Sequence, residues 1–465
     1  MKKRSKILLY NWIQFDNVNG VGGGVTVYVR NLIEAFLKYR KDVDIVFLSS
    51  GWAYDTSNTK CYFRQTKNIF GKKIKTFEIV NSPVPAYQKF ILNNIAVSFE
   101  NKNFTKCFVD FLNQEEFFDV IHFHNIEGLS LDCFKGLKQY ANKVFYSMHN
   151  YVPICPSGFY FKRKENKICD KNHSGQDCSD CASCLAIKDP IKGIISRRIN
   201  KTSNVNNDFW IKETGVNLIL KPGLTENYII YSEKVKTIIE NMDGILAVSK
   251  KVKDIAMENG ISENKIIVSY IGTKVAKIAK KYSRKFKLNN SPILNIVFLG
   301  TNLGNYEKGY PFLFKSLKML PKEYKNKIRL TLNTTEKGKD DWVKKELEDF
   351  ADVIIIHGYT HKNLKHILKN QDLGLVPVLW EDNLPQIAIE MQSYGVPVLS
   401  SSFGGASELC SNSNFVFLGG DSTDFNNHII HFVDRKTDLS LFWKYNISPV
   451  TMKEHLKQIG DIYGI

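Results

Sequence analysis

No stretch of this sequence reaches the roughly 18 to 20 apolar residues that cross a bilayer as a helix. The opening Met-Lys-Lys-Arg-Ser-Lys-Ile-Leu-Leu-Tyr-Asn-Trp starts basic like a secretion signal, but its apolar run breaks at Asn11 after a few residues. A signal needs about 7 to 15. The expectation is therefore a cytoplasmic protein, soluble or peripheral on the inner face of the membrane. Acidic residues are also scarce: 47 Asp and Glu against 64 Lys and Arg leave a formal charge of +17. That surplus asks for an anionic partner, whether nucleic acid, a nucleotide or an anionic membrane surface. The composition of a disordered chain is missing too, since 43% of residues are hydrophobic. At 465 residues the chain exceeds the roughly 250 to 300 that one core supports, which predicts two domains. Nine cysteines do not make a disulfide framework in a chain this large without a signal. Thiols or a metal site are the expectation.

What is present is alternation. Lys6 to Tyr10 reads as a strand, followed by Asn19-Gly20-Val21-Gly22-Gly23-Gly24 and a helix with Val25, Val29, Leu32, Ile33, Phe36 and Leu37 inward. Strands follow at 43–49, 119–125, 143–148, 244–249 and 266–271, with a helix over 221–241. A lysine-rich, pattern-poor stretch ends in Asn289-Asn290-Ser291-Pro292, and strands restart at 294–299, 328–333, 353–357, 373–379, 396–400 and 415–418. The pattern predicts an α/β fold with doubly wound sheets: a first domain over 1–272, a linker over 273–292 and a second domain over 293–445.

Several local motifs carry chemistry. A glycine loop opening a helix can cradle phosphate on bare amides, though this one lacks the dinucleotide spacing and a glycine-rich turn is often only a turn. His122 and His124 alternate along one strand and share a side of its pleat, and hydrogen-bonded structural histidines are preferred to a metal pair. Cys155, Cys169, Cys178, Cys181 and Cys184 crowd one region. Their spacing suits structural zinc or an iron–sulfur cluster, the alternative being unligated or redox thiols. In 189–202, Ile191, Ile194, Ile195 and Ile199 form a stripe edged by Lys192, Arg197 and Lys201, which suits either an anionic lipid surface or packing on the domain.

The richest stretch is Val376 to Gly405, which reads as strand, loop, helix, strand. Asp382 or Asn383 is expected to cap the helix, Pro385 to sit in its first turn and Gly395 to end it. Ile387, Met391 and Tyr394 share a face, with Glu390 on its flank. Either that acid reaches water, or it accepts from ribose or sugar hydroxyls at the carboxyl end of a strand. In Gly300 to Gly309, Lys308 lies near a helix start, where an ammonium and amides together hold a diphosphate.

The run Trp380-Glu381-Asp382-Asn383-Leu384-Pro385, with Glu390 and Gly395-Val396-Pro397-Val398, resembles the donor-site signature of retaining glycosyltransferases of family 4. That resemblance implies the GT-B fold: two facing Rossmann-like domains, an acceptor domain then a donor domain, with a last helix over 446–465 crossing back to the first. It puts Glu390 on the nucleotide ribose and, by a seven-residue gap, Asp382 on the donor sugar, with Glu381 one residue too early and Asn383 and Leu384 in the same corner. Gly23 and Gly24 would meet the donor diphosphate. So would Lys308, in the loop opened by Gly300. His149, at the end of its strand, would lie near donor and acceptor. The family usually has an arginine after that strand's glycine, where this chain has Thr301. The cysteine-rich insertion over 155–184 is not needed by the core family. No metal takes part in the chemistry the resemblance implies. Partners would be a UDP- or GDP-sugar and a glycan or lipid-linked glycan acceptor, in cell-surface polysaccharide or glycolipid assembly, and no nucleic acid. The competing readings are a zinc-dependent nucleic-acid-binding protein, using the cysteines and the +17 charge, and a GT-B-fold sugar-nucleotide epimerase or phosphorylase.

Overall fold

The computed structural model describes residues 4–17, 22–55, 57–58, 60–86, 91–92, 94–170, 172–185, 225–278, 291–300 and 302–465. The stripe at 189–202, most of the linker, Thr301, the start of the glycine loop and residues 221–224 lie outside them. The chain divides into two compact units. One is Met1–Val248 with Val252–Ile271 and Met452–Ile465; the other is Ser249–Lys251 with Gly272–Thr451.

The first unit is built on strands β1 (Ser5–Tyr10), β2 (Val43–Ala53), β3 (Tyr62–Gln65), β4 (Lys75–Val80), β5 (Phe118–Phe123) and β6 (Ala141–Met148). A separate hairpin, β7 (Phe161–Lys162) and β8 (Lys167–Ile168), lies in the cysteine-rich insertion, and β9 (Gly244–Ala247) and β10 (Ile266–Val268) return to the main sheet. Its order is β10-β9-β6-β5-β1-β2-β4-β3. Every pairing is parallel except that of β3 with β4. Parallel strands are covered on both faces, so the central ones read as unbroken apolar runs: Ile7, Leu8, Leu9 and Tyr10 are all fully buried. β3 and β4 have no such run and are not legible in the sequence.

The helix Met452–Tyr463 belongs to this first unit and packs on the helix Gly23–Tyr39. Its inward face carries His455, whose Nε2 lies 2.7 Å from the Tyr28 hydroxyl, and Tyr463, whose hydroxyl lies 2.5 Å from His122 Nδ1. The helix begins at Met452 rather than at 446, because Asn446 to Thr451 stay with the second unit.

The second unit contains β11 (Leu294–Phe298), β12 (Ile328–Asn333), β13 (Asp352–Ile356), β14 (Leu373–Val376), β15 (Val398–Ser401) and β16 (Val416–Phe417), all parallel in the order β13-β12-β11-β14-β15-β16. Counted within the unit this is 3-2-1-4-5-6, the doubly wound dinucleotide-binding order. Ligands bind such sheets where the direction of winding reverses, outside the carboxyl ends of the strands. Here that reversal lies between β11 and β14. Lys308 follows β11, and Asp382 and Glu390 follow β14.

Candidate active site

At the carboxyl edge of the second unit, three loops are knitted together before any ligand-facing group is considered. Asn333, at the end of β12, donates to the Gly300 carbonyl after β11 and accepts at 2.9 Å from the Gly358 amide after β13. The Tyr310 hydroxyl donates to the Asn333 carbonyl at 3.0 Å. Gly300 therefore serves packing: a Cβ there would meet Phe298 and Tyr310 under 3 Å away. The loop then carries Lys308 to the edge, and the helix Tyr310–Met319 begins after Gly309, with Pro311 in its first turn.

The Lys308 ammonium forms an ion pair with Asp382 at 2.5 Å and lies 5.2 Å from the centre of the Trp380 ring. Lys308 is 41% exposed while the Asp382 side chain is 10% exposed, so the pair has one end in water. Such a half-wet pair contributes about 1 kcal/mol or less and is open to exchange for a stronger anion. Glu390 is buried, and its Oε1 lies 3.2 Å from Nδ1 of His361, a residue the sequence reading did not single out. Glu390 therefore does not reach for water. Tyr359 is a second neighbour missed from sequence; burial, with Glu390 adding to it, holds its hydroxyl well above the ordinary pKa.

The helix Gln386–Ser393 is capped differently from the expectation. Pro385 is its N-cap and no side chain closes the first turn, because the Asp382 carboxylate is drawn to Lys308. Gly395 ends the helix with φ +82° as expected. The expected single apolar face also gives way. Ala388 through Ser393 are all buried, whereas Ile387 and Tyr394 are only half-buried, since this helix is enclosed around its length. Leu384 is buried in the same corner.

Glu381 has a structural partner: its carboxylate accepts the Gly404 amide at 2.6 Å, while the Gly405 amide donates to the Asp382 carbonyl at 2.8 Å. Gly404 has φ +70°, and a Cβ there would meet Asp382 backbone atoms at 2.3 Å. Gly420 has φ +83° with open space around it. Gly404→Ala should therefore lower Tm by several degrees more than Gly420→Ala, as strain of about 1–3 kcal/mol is joined by a backbone clash. Equal losses in thermal melts would show that the Asp382 loop yields freely.

The remaining candidates lie in the first unit. Gly23 and Gly24 are the exposed first residues of the helix Gly23–Tyr39, and a Cβ on Gly23 would meet nothing within 4 Å. Below that helix start is a nest of rings. His149, following β6, is half-buried; its Nε2 lies 3.3 Å from His124 Nδ1, and its ring centre is 4.9 Å from that of Tyr28. His122 bonds to Ser147 at 2.8 Å as well as to Tyr463, and its ring lies 4.3 Å from that of His124. Burial depresses His149 and His122 to about 3, with neighbouring imidazoles adding to it, so both are neutral near pH 7. Glu127 was not foreseen. It accepts from Asn150 Nδ2 at 2.9 Å and so holds the residue next to His149.

Cys155, Cys169, Cys178 and Cys181 line one small cavity with His173 and Asp177. The sulfurs nevertheless bond to their own surroundings. Cys155 Sγ takes Ser157 Oγ at 3.1 Å and the Tyr160 amide at 3.4 Å, Cys169 points to the Asp170 carbonyl and Cys181 to that of Phe161. Among the described residues no three His, Cys, Asp or Glu side chains are arranged to hold a metal ion, and Cys184 is exposed. Among the described residues no helix is long and apolar enough to cross a membrane.

Residues 294–435 match the family described as "Glycosyl transferases group 1". A curated relative, an uncharacterized 41.2 kDa protein in the cps region of Klebsiella pneumoniae, is 27% identical over 45% of this chain. The match spans 58% of that relative's length. Among solved structures, sucrose-phosphate synthase from Thermosynechococcus elongatus aligns over 99% of this chain and 98% of its own, with TM-score 0.58 and 13% identity. The trehalose-6-phosphate structure from E. coli bound with UDP-2-fluoro glucose aligns over 99% of both chains, with TM-score 0.56 and 13% identity. Anabaena Alr3699/HepE in complex with UDP and glucose covers 99% of this chain and 100% of its own, with TM-score 0.52 and 12% identity. At such identities the likeness is one of fold: the chain has the GT-B fold, and the family match lies within its second unit.

Proposed function

We propose that the protein is a glycosyltransferase that moves a sugar from a UDP- or GDP-sugar to a hydroxyl of a glycan or lipid-linked glycan, with retention of anomeric configuration. The donor belongs to the second unit and the acceptor to the first. The observation that carries this reading is the corner at the β11–β14 reversal, where an exposed ammonium, a paired carboxylate and a buried carboxylate stand within the domain matched to group 1 glycosyl transferases. In this reading Glu390 accepts the ribose hydroxyls. The donor diphosphate draws Lys308 away from Asp382, and Asp382 is then free to accept from the donor sugar. Lys308 stabilises the charge that grows on the departing diphosphate. Gly23 and Gly24 open the helix Gly23–Tyr39, where backbone amides suit an anion. His149, being neutral, acts as a hydrogen-bonding partner rather than as an acid. The acceptor hydroxyl attacks on the face the diphosphate leaves. The cps-region relative supports polysaccharide assembly as the setting.

Release of nucleoside diphosphate across UDP-, GDP- and ADP-sugars, with and without acceptor glycans, tests the reaction. Acceptor-independent turnover to an epimer, or transfer to free phosphate, would replace it with the epimerase or phosphorylase reading. Lys308→Ala should weaken binding of the nucleoside diphosphate on the order of tenfold while leaving nucleoside binding nearly unchanged, since a charge-assisted bond contributes about 1.5–3 kcal/mol. Equal losses for the two ligands in calorimetry would remove Lys308 from the phosphate.

A further inference from the structure

Glu390 presents very little surface, with 7% of its side chain exposed, yet an imidazole already sits on it. His361 lies in the loop between β13 and the helix Leu364–Leu368. The loop backbone is tied down: Thr360 donates its amide to Asn363 Oδ1 at 2.7 Å, and the Gly358 amide is held by Asn333. The His361 side chain is not tied down in the same way. It is 62% exposed, and its Nδ1 lies 3.2 Å from Glu390 Oε1. A fixed backbone with a loose, water-facing ring is an arrangement in which the ring leaves without disturbing the fold.

We propose that His361 competes with the donor's ribose for Glu390, so that nucleotide binding displaces the imidazole and the donor is admitted more readily when the imidazole is uncharged. This rests on the donor reading of the corner. A carboxylate with one oxygen engaged offers a cis-diol only half of its acceptors, and a charged imidazole holds that oxygen more tightly than a neutral one. The groups that face the imidazole are Glu390, which raises its pKa through the hydrogen bond, and Lys274, which opposes that as burial does. Tyr359, held in its neutral form, borders Glu390 from the same loop. Once displaced, the imidazole returns toward its ordinary value. Ribonucleotide binding thus releases a proton, and affinity is full above the raised pKa and falls as pH drops through it.

The experiment is calorimetry of the full chain with UDP, GDP and ADP at pH 8 and pH 6, each in two buffers of different ionisation enthalpy, and with the 2′,3′-dideoxy form of whichever binds. Wild type, His361→Gln and His361→Ala are compared. The terminal phosphate also titrates near pH 6, but equally in all three proteins, so the difference between them is what is read. Wild type should lose about threefold or more in affinity relative to His361→Ala on going from pH 8 to pH 6, with net proton release. His361→Ala should bind more tightly than wild type at pH 6, His361→Gln should show the flat profile of the alanine variant, and the dideoxy ligand should remove the difference. Weaker binding by His361→Ala at pH 6, or parallel profiles for all three proteins, would overturn the competition while leaving the donor reading intact. Absence of binding by every nucleotide at both pH values would overturn the donor reading, and this inference with it.

Discussion

Glu390→Gln is expected to lower turnover at least about tenfold while leaving the fold and Tm close to wild type. The substitution keeps shape and one acceptor oxygen but removes the charge and turns the second acceptor into a donor. Against a ribose that offers only hydroxyl donors on that side, one charge-assisted bond is lost and one N–H is left facing another donor. A hydrogen bond to a charged group contributes about 1.5–3 kcal/mol, and every 1.4 kcal/mol is tenfold. The fold should tolerate the change because Glu390 holds a side chain, His361, and that side chain is largely in water. Glu381 provides the contrast within the same loop. Its carboxylate holds the Gly404 amide, so Glu381→Gln should lower Tm as well as activity. Nucleoside diphosphate release and thermal melts on both variants separate the cases. Wild-type turnover in a folded Glu390→Gln protein would remove Glu390 from the site.

How much of this was legible in the sequence follows from which interactions are local. The order of strands and the corners that follow β11 and β14 could be read because parallel strands buried on both faces spell apolar runs, and turn residues punctuate them. β3 and β4 escaped because β3 is only half-buried and forms the antiparallel edge against β4, which leaves no run to read. The helix cap failed for another reason: Asp382 had a distant partner in Lys308, and a side chain bonds to only one place at a time. His361, Tyr359 and Gly404 were invisible because their roles depend on residues far along the chain, and nothing in their neighbourhood repeats or alternates. Among the cysteines, position along the string and place in the fold differ. Residues 178, 181 and 184 look equivalent as a string, but on the helix Gly175–Leu185 each step of three falls about 60° short of a full turn. By Cys184 the side chain has rotated about 120° from Cys178. It is exposed, while Cys155 and Cys169, from separate segments, join the other two around one cavity.

The first unit should lose stability steeply in mild acid, because three of its imidazoles are fully buried and neutral. His122, His124 and His455 are each 1% exposed or less. Burial, reinforced by neighbouring imidazoles, pushes His122 down to about 3 and His124 well below the ordinary value; burial also takes His455 to about 4, against a backbone hydrogen bond that raises it. In the unfolded chain each titrates near 6.5. Between those limits the unfolded state binds protons that the folded state refuses, so stability is complete above about pH 6.5 and declines as pH falls toward 4. His149, also held near 3, makes a fourth, and four such groups give a slope of at most about 5 kcal/mol per pH unit, against a typical domain stability of about 5–15 kcal/mol. Unfolding of the unit is therefore expected between pH 6 and pH 4. The helix Met452–Tyr463 should detach with it, because two of its inward anchors, Tyr463 on His122 and His455 on Tyr28, belong to this set. His455→Phe keeps a ring in the site without a titrating group and should reduce the slope by one proton's share. Circular dichroism melts from pH 8 to pH 4 measure both. An unchanged Tm between pH 7 and pH 5 would mean that the folded unit takes up the same protons as the unfolded chain, so that these histidines charge in place without strain.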